Sequence, residues 1–99
     1  MNIEKTSNEE EITLKVEGRI DTITSTELQN AIISAFQASN KVVIDLAEVR
    51  YVASSGLRAF LIGHKTAATK SGYMKLRHVS DPVMDILSTV GFDKIFMIE

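Results

Sequence analysis

Ser54 and Ser55 are the residues of this chain best placed to do chemistry. They stand one short loop beyond an apolar run, Val42-Val43-Ile44-Asp45-Leu46. They open a helical pattern in which Leu57, Phe60, Leu61 and His64 share a face. A serine at a helix start has two uses. Its side chain can cap the helix by accepting an exposed backbone N–H, the commonest role of serine there. It can also accept a phosphoryl group, where unpaired N–H groups and the helix dipole tolerate negative charge. A pair can do both, one serine capping while the other is modified. Gly56, next in line, allows close packing or an unhindered first turn.

The other polar candidates carry less. Asp21 lies between a strand and a helix, where a turn or cap role competes with a binding role. Asp45 interrupts an apolar strand, and its carboxylate is expected to bond loop backbone near the strand's end. His64 falls on or beside an apolar helix face and is expected to be packed. His78, Ser80 and Asp81 form a Ser/His/Asp set in local sequence, which says nothing of geometry. There is no Gly-x-Ser-x-Gly elbow, no metal-ligand spacing and no phosphate loop with lysine. Met74, Met84 and Met97 read as core or partner contact. The expectation is a protein without catalytic residues, metal or cofactor.

These residues need elements to hold them. Around Ile3–Thr6 a short strand is expected, then a polar turn at Ser7-Asn8-Glu9-Glu10. Glu11 to Glu17 alternates, with Ile12, Leu14 and Val16 on one side, so the two strands read as a hairpin that Gly18 ends. Thr24-Ser25-Thr26-Glu27 has the form of a capping box, and Leu28, Ala31, Ile32, Ala35 and Phe36 recur at helical spacing up to Ser39-Asn40. Val42–Leu46 reads as a strand covered on both faces. A second helix is expected from about Ser55 to Lys70, with Gly72 as its stop. Tyr73–Arg77 is a strand. Ser80-Asp81-Pro82 starts a third helix with Val83, Ile86, Leu87 and Val90 buried, and Gly91 closes it. Ile95–Ile98 is a last strand. The order favours an α/β fold: a mixed, about five-stranded sheet with an N-terminal hairpin, strand–helix crossovers, and three or four helices packed on it.

Composition bounds the function. The chain has 99 residues, enough for one domain spanning 1–99. A formal net charge of -2 supplies no basic patch for nucleic acid. The absence of cysteine excludes disulfides and thiolate chemistry. Met1–Lys5 shows no signal-peptide pattern and no apolar run approaches the ~20 residues of a membrane span, so no membrane insertion and a cytoplasmic location are expected.

Two segments resemble a known family. Val16-Glu17-Gly18-Arg19-Ile20-Asp21, followed by Glu27-Leu28, is similar to the Gly-x-hydrophobic-Asp element of the STAS domain (sulfate transporter and anti-sigma factor antagonist). Val42–Leu46, Val49, Val52, Ser54-Ser55-Gly56-Leu57 and Leu61 resemble that family's strand, loop and phosphorylation-site helix, spacing included. The likeness is strongest to stand-alone bacterial anti-sigma factor antagonists. It implies a partner-switching module. The unphosphorylated form binds an anti-sigma factor that is also a serine kinase of the histidine-kinase-like ATPase type, and so frees a sigma factor. ATP-dependent phosphorylation reverses binding, and a serine phosphatase resets it. By this resemblance Ser54 is the phosphorylation site, and Asp21, Thr22, Ala53, Ser55, Gly56, Leu57 and Arg58 contact the partner. Ala53 stands where many phosphorylated members have aspartate, and Arg58 where such members often have a small residue. That departure supports the alternative of a non-phosphorylated STAS subunit of a larger assembly, such as a lipid transporter complex or a stress-signalling scaffold. An enzyme and a nucleotide sensor rank below both.

Overall fold

The computed structural model describes residues 1–8 and 10–99. Its elements run β1 (Asn2–Ser7), β2 (Ile12–Glu17), α1 (Thr24–Ala38), β3 (Lys41–Glu48), α2 (Ser54–Thr69), β4 (Tyr73–Arg77), α3 (Asp81–Thr89), a 3-10 turn (Phe92–Lys94) and β5 (Met97–Ile98). The strands lie side by side in chain order. β1 and β2 form an antiparallel hairpin with Asn2 opposite Glu17, and β2, β3, β4 and β5 run parallel. Parallel neighbours cannot be joined by a tight turn, so each pair is bridged by a helix. The mixed five-stranded sheet with three helices is the expected architecture.

Alternation makes the core. Ile12, Leu14 and Val16 of β2, Val42, Ile44 and Leu46 of β3, and Met74 and Leu76 of β4 form one buried cluster with Leu28, Ile32, Ala35 and Phe36 of α1 and Ala59, Phe60 and Ala67 of α2. Contrary to the expectation for β3, the opposite sheet face is polar. It carries half-buried Thr13, Lys15, Tyr73, Lys75 and Arg77. Val43 is fully buried on that face because Thr13 and Lys75 flank it in register, and a lysine stem covers apolar surface while its ammonium stays wet.

Helix ends depart from expectation in two places. α2 stops in a Schellman motif whose left-handed residue is Ser71 (φ 55°), not Gly72. The Gly72 N–H bonds Ala67 O (3.0 Å) and that of Ser71 bonds Ala68 O (3.3 Å). Gly72 is required by crowding, since a Cβ there would lie 1.7 Å from Asn40 O. At the other end of the chain, the residues after Gly91 (φ 78°) turn once in a 3-10 helix before β5, so the last strand is only Met97–Ile98. Phe92 and Phe96 meet edge to face across that turn, with centroids 5.4 Å apart. Aromatic packing here replaces the two extra strand residues.

Candidate functional site

The site is built where two loops leave the parallel strands. After β2, Gly18 turns the chain (φ 107°) and its N–H bonds Glu48 O. Ile20 and Val52 then form a parallel bridge. Ile20 N–H donates to Tyr51 O (3.1 Å) and Ala53 N–H donates to Ile20 O (2.8 Å). Asp21 and Ser54 are the next residues along these tied segments. The strap thus brings the two sequence motifs to the same end of the sheet.

Asp21 is the true cap of α1. Its Oδ1 accepts the N–H groups of Ile23 (2.9 Å) and Thr24 (2.8 Å), and its carbonyl accepts that of Ser25. The Asp21 N–H donates back to Thr24 Oγ1 (2.9 Å). This is a capping box one turn before the expected Thr24–Glu27 one. Thr24 closes this box rather than opening one, because Thr22 and Ile23 form the turn that leads into α1. The N–H bond from Thr24, above all, holds the Asp21 carboxyl below the usual carboxylate range. Thr22 is exposed beside it. Ile23 stands 84% exposed, an apolar side chain projecting from the cap.

The start of α2 differs sharply from that of α1. Its N-cap is Ala53, in extended conformation (φ -76°, ψ 167°), with no side-chain cap. Gly56 and Leu57 N–H groups both bond Ala53 O. The Ser54 and Ser55 N–H groups find no partner among the described residues. Neither serine caps, because both lie inside the helix, at its first and second positions, and the capping position itself is alanine. The two serines also differ from each other. Ser54 is exposed, whereas the Ser55 hydroxyl is buried and without a hydrogen-bond partner among the described residues. Gly56 packs against the strap: a Cβ there would lie 2.5 Å from Ile20 Cγ2 and 2.8 Å from Val52 Cγ1. Leu57 is buried and Arg58 exposed.

Ser54, Leu57, Arg58 and Leu61 of α2 line a groove of about 270 Å³ whose far wall is Val90 and Phe92. Val90 is half exposed (50%), a correction to its expected place in the buried stripe of α3. It follows the last helical turn and faces this groove instead. Beside the site, the Arg19 guanidinium lies 3.8 Å over the Tyr51 ring. Sequence reasoning missed Tyr51, Ile23 and Val90 as exposed residues, and half-buried Phe92 as a groove wall. Ile23 had a usable signal: an isoleucine outside the periodic stripe of α1.

The remaining candidates are structural. Asp45 Oδ1 accepts the N–H of Ala47 (3.0 Å), a residue still inside β3 rather than in the expected loop, and lies 3.1 Å from His78 Nδ1. Ser80 does not join them; its hydroxyl donates to Val49 O (2.7 Å) and pins the loop that leads to Ser54. Asp81 is exposed in the first turn of α3. The His64 ring packs edge-on to Phe96. No group of three metal-ligating side chains occurs among the described residues.

The model of the family described as "Mlab, STAS domain" matches residues 3–99. This chain belongs to the STAS domain family. A curated relative, the anti-sigma-B factor antagonist of Bacillus subtilis (strain 168), is 24% identical over 95 residues, covering 96% of this chain and 87% of its own. An anti-sigma factor antagonist from Mycobacterium paratuberculosis superposes with a TM-score of 0.87 at 21% identity, over 98% of this chain and 83% of that one. The Bacillus cell fate determinant SpoIIAA in its phosphorylated form gives 0.77 at 15% identity, over 99% and 91%. At these identities the superpositions establish the STAS fold.

Proposed function

We propose that this STAS domain is an anti-sigma factor antagonist that binds its partner through the face around Ser54 and is released by phosphorylation there. The observation that carries the choice of Ser54 is the contrast within the serine pair: one hydroxyl exposed at a groove mouth, the other buried. The relatives' names support the class of function. The partner is an anti-sigma factor with serine-kinase activity of the histidine-kinase-like ATPase type, acting in the cytoplasm, and a serine phosphatase reverses the reaction. In the forward step the Ser54 Oγ–P bond forms as the β–γ phosphoanhydride of ATP breaks. ADP leaves, and the hydroxyl proton passes to a base on the kinase.

The chain's own part is presentation. The strap of Ile20 on Val52 and the Ser80 pin fix the loop, and Gly56 seats α2 against it. We read Asp21 and Thr22 at the α1 start, and Ala53, Gly56, Leu57 and Arg58 at the α2 start, as the partner-binding face with Ser54, and exposed Ile23 extends it. A phosphate brings about -1.5 to -2 charge to a helix start that favours anions. It leaves the fold intact and acts at the interface, where a dianion is costly to desolvate. The test is calorimetric binding of the purified domain to the candidate kinase before and after incubation with ATP. Binding that falls at least tenfold in wild type, and is unchanged in Ser54→Ala, is expected. Binding that survives full phosphorylation contradicts the switch.

One observation favours a second reading. Ala53 leaves the α2 start without a side-chain cap and without the acidic residue common before the serine pair in phosphorylated members. A STAS subunit that uses the same face in a larger assembly, without phosphorylation, would lose nothing by this change. Such a subunit would bind equally well as wild type and Ser54→Ala and take up no phosphate.

A further inference from the structure

We propose that a phosphate on Ser54 pairs with the Arg58 guanidinium across the mouth of the α2–α3 groove, so that phosphorylation closes the groove as well as charging it. This rests on Ser54 being the acceptor, as argued above. The two residues are four apart on α2, the spacing that places side chains one above the other on a helix face. Both are exposed and both line the groove. Arg58 forms no ion pair among the described residues, so its guanidinium is uncommitted. The other groove walls, Leu57, Leu61, Val90 and Phe92, carry no charge and offer no competing anion. Ala53 contributes no carboxylate next to the phosphate.

An acid N-terminal to a base at this spacing is the favourable orientation on a helix. A phosphate dianion with a guanidinium makes charge-assisted and often bidentate bonds. The pair would join the two polar residues of the groove's lining, against which a partner side chain entering the groove would have to pack. It also sets the guanidinium's positive charge directly against the phosphate's charge of about -1.5 to -2. A Ser54→Glu mimic, with one negative charge and a planar head, closes the groove poorly and would be an incomplete substitute for the phosphoprotein.

The experiment installs phosphoserine at position 54 by genetic encoding, so it needs no kinase. The second ionisation of the phosphate, near ~6 in free phosphoserine, is followed by phosphorus NMR in otherwise wild-type protein, in Arg58→Gln and in Arg58→Lys. The helix terminus acts on all three alike, so differences report the side chain at 58. The midpoint is expected about 0.3 unit lower in wild type than in Arg58→Gln, consistent with i,i+4 ion pairs. Arg58→Lys should fall between them, and ~1 M salt should collapse the difference. Coincident midpoints would overturn the pair. If the midpoints differ but no kinase modifies Ser54, the pair stands and the functional reading fails instead.

Discussion

Gly56 offers the sharpest test of how the site is held. Alanine normally improves a helix over glycine by up to about 1 kcal/mol. Here its Cβ would lie 2.5 Å from Ile20 Cγ2 and 2.8 Å from Val52 Cγ1, against a comfortable carbon–carbon separation of ~3.5–4.0 Å. Neither neighbour yields easily. Ile20 is 0% and Val52 3% exposed, both are β-branched, and together they form the strap. Forcing a methyl group into a packed interior costs about 1–3 kcal/mol, and two contacts this close place the cost in the upper part of that range. Gly56→Ala should therefore lose about 1–2 kcal/mol net, read as a lower urea midpoint at unchanged slope. For a domain of this size the melting temperature should fall by roughly 4–8 °C per kcal/mol. Adding Val52→Ala removes one clash, so the double mutant should lose less than the sum of the singles. Partner affinity should fall too, since relief of the clash moves the α2 start away from Asp21. Stability equal to or above wild type would refute the reasoning.

Four further outcomes follow. Ala53→Asp should supply the missing cap and raise stability by about 0.5–2 kcal/mol in urea unfolding. Ser55→Ala removes a buried unpaired hydroxyl and should be neutral to about 1 kcal/mol stabilising, while leaving phosphate uptake unchanged by mass spectrometry. Because the Asp21 carboxyl is held below its ordinary value by the Thr24 N–H, its contribution is present above ~pH 3.9 and is lost as pH falls through the lower folded-state value. Asp21→Ala should then lower the melting temperature at pH 7 and flatten that part of the acid limb. Tyr73, whose hydroxyl donates to Glu11 (2.5 Å), has its pKa pushed up to about 12 by that bond. In a Tyr51→Phe background its phenolate absorbance should rise near pH 12 rather than ~10. Its contribution to stability is complete below ~pH 10 and is lost as pH rises through the folded value.

Much of this was legible in residue pattern alone. The alternation of Ile12, Leu14 and Val16, and the helical recurrence of Leu28, Ile32, Ala35 and Phe36, name the buried faces correctly. Serine beside serine before a glycine marks the right helix start. What the pattern could not fix is position within a turn. Asp21-x-x-Thr24 and Thr24-x-x-Glu27 both have capping-box form, and only the hydrogen bonds show that Asp21 and Thr24 make it, in the turn that leads into α1. At α2 an offset of one residue hides that Ala53, not a serine, occupies the cap. The groove was invisible for another reason. Its walls come from the first turns of α2 and from the turn after α3, which meet only when the sheet brings them together. Arg19 on Tyr51 is equally non-local. Val90 fits the apolar stripe of α3 by spacing, yet it lies past the helix's last turn.

The central claim is that Ser54 is the residue whose modification switches the partner. The most direct measurement is peptide mass spectrometry of wild type, Ser54→Ala and Ser55→Ala after incubation with ATP and the candidate serine kinase. A single phosphate on Ser54 in wild type and Ser55→Ala, and none in Ser54→Ala, is the predicted result. A phosphate on Ser55, or none on any protein despite a stable complex with the kinase, would contradict it.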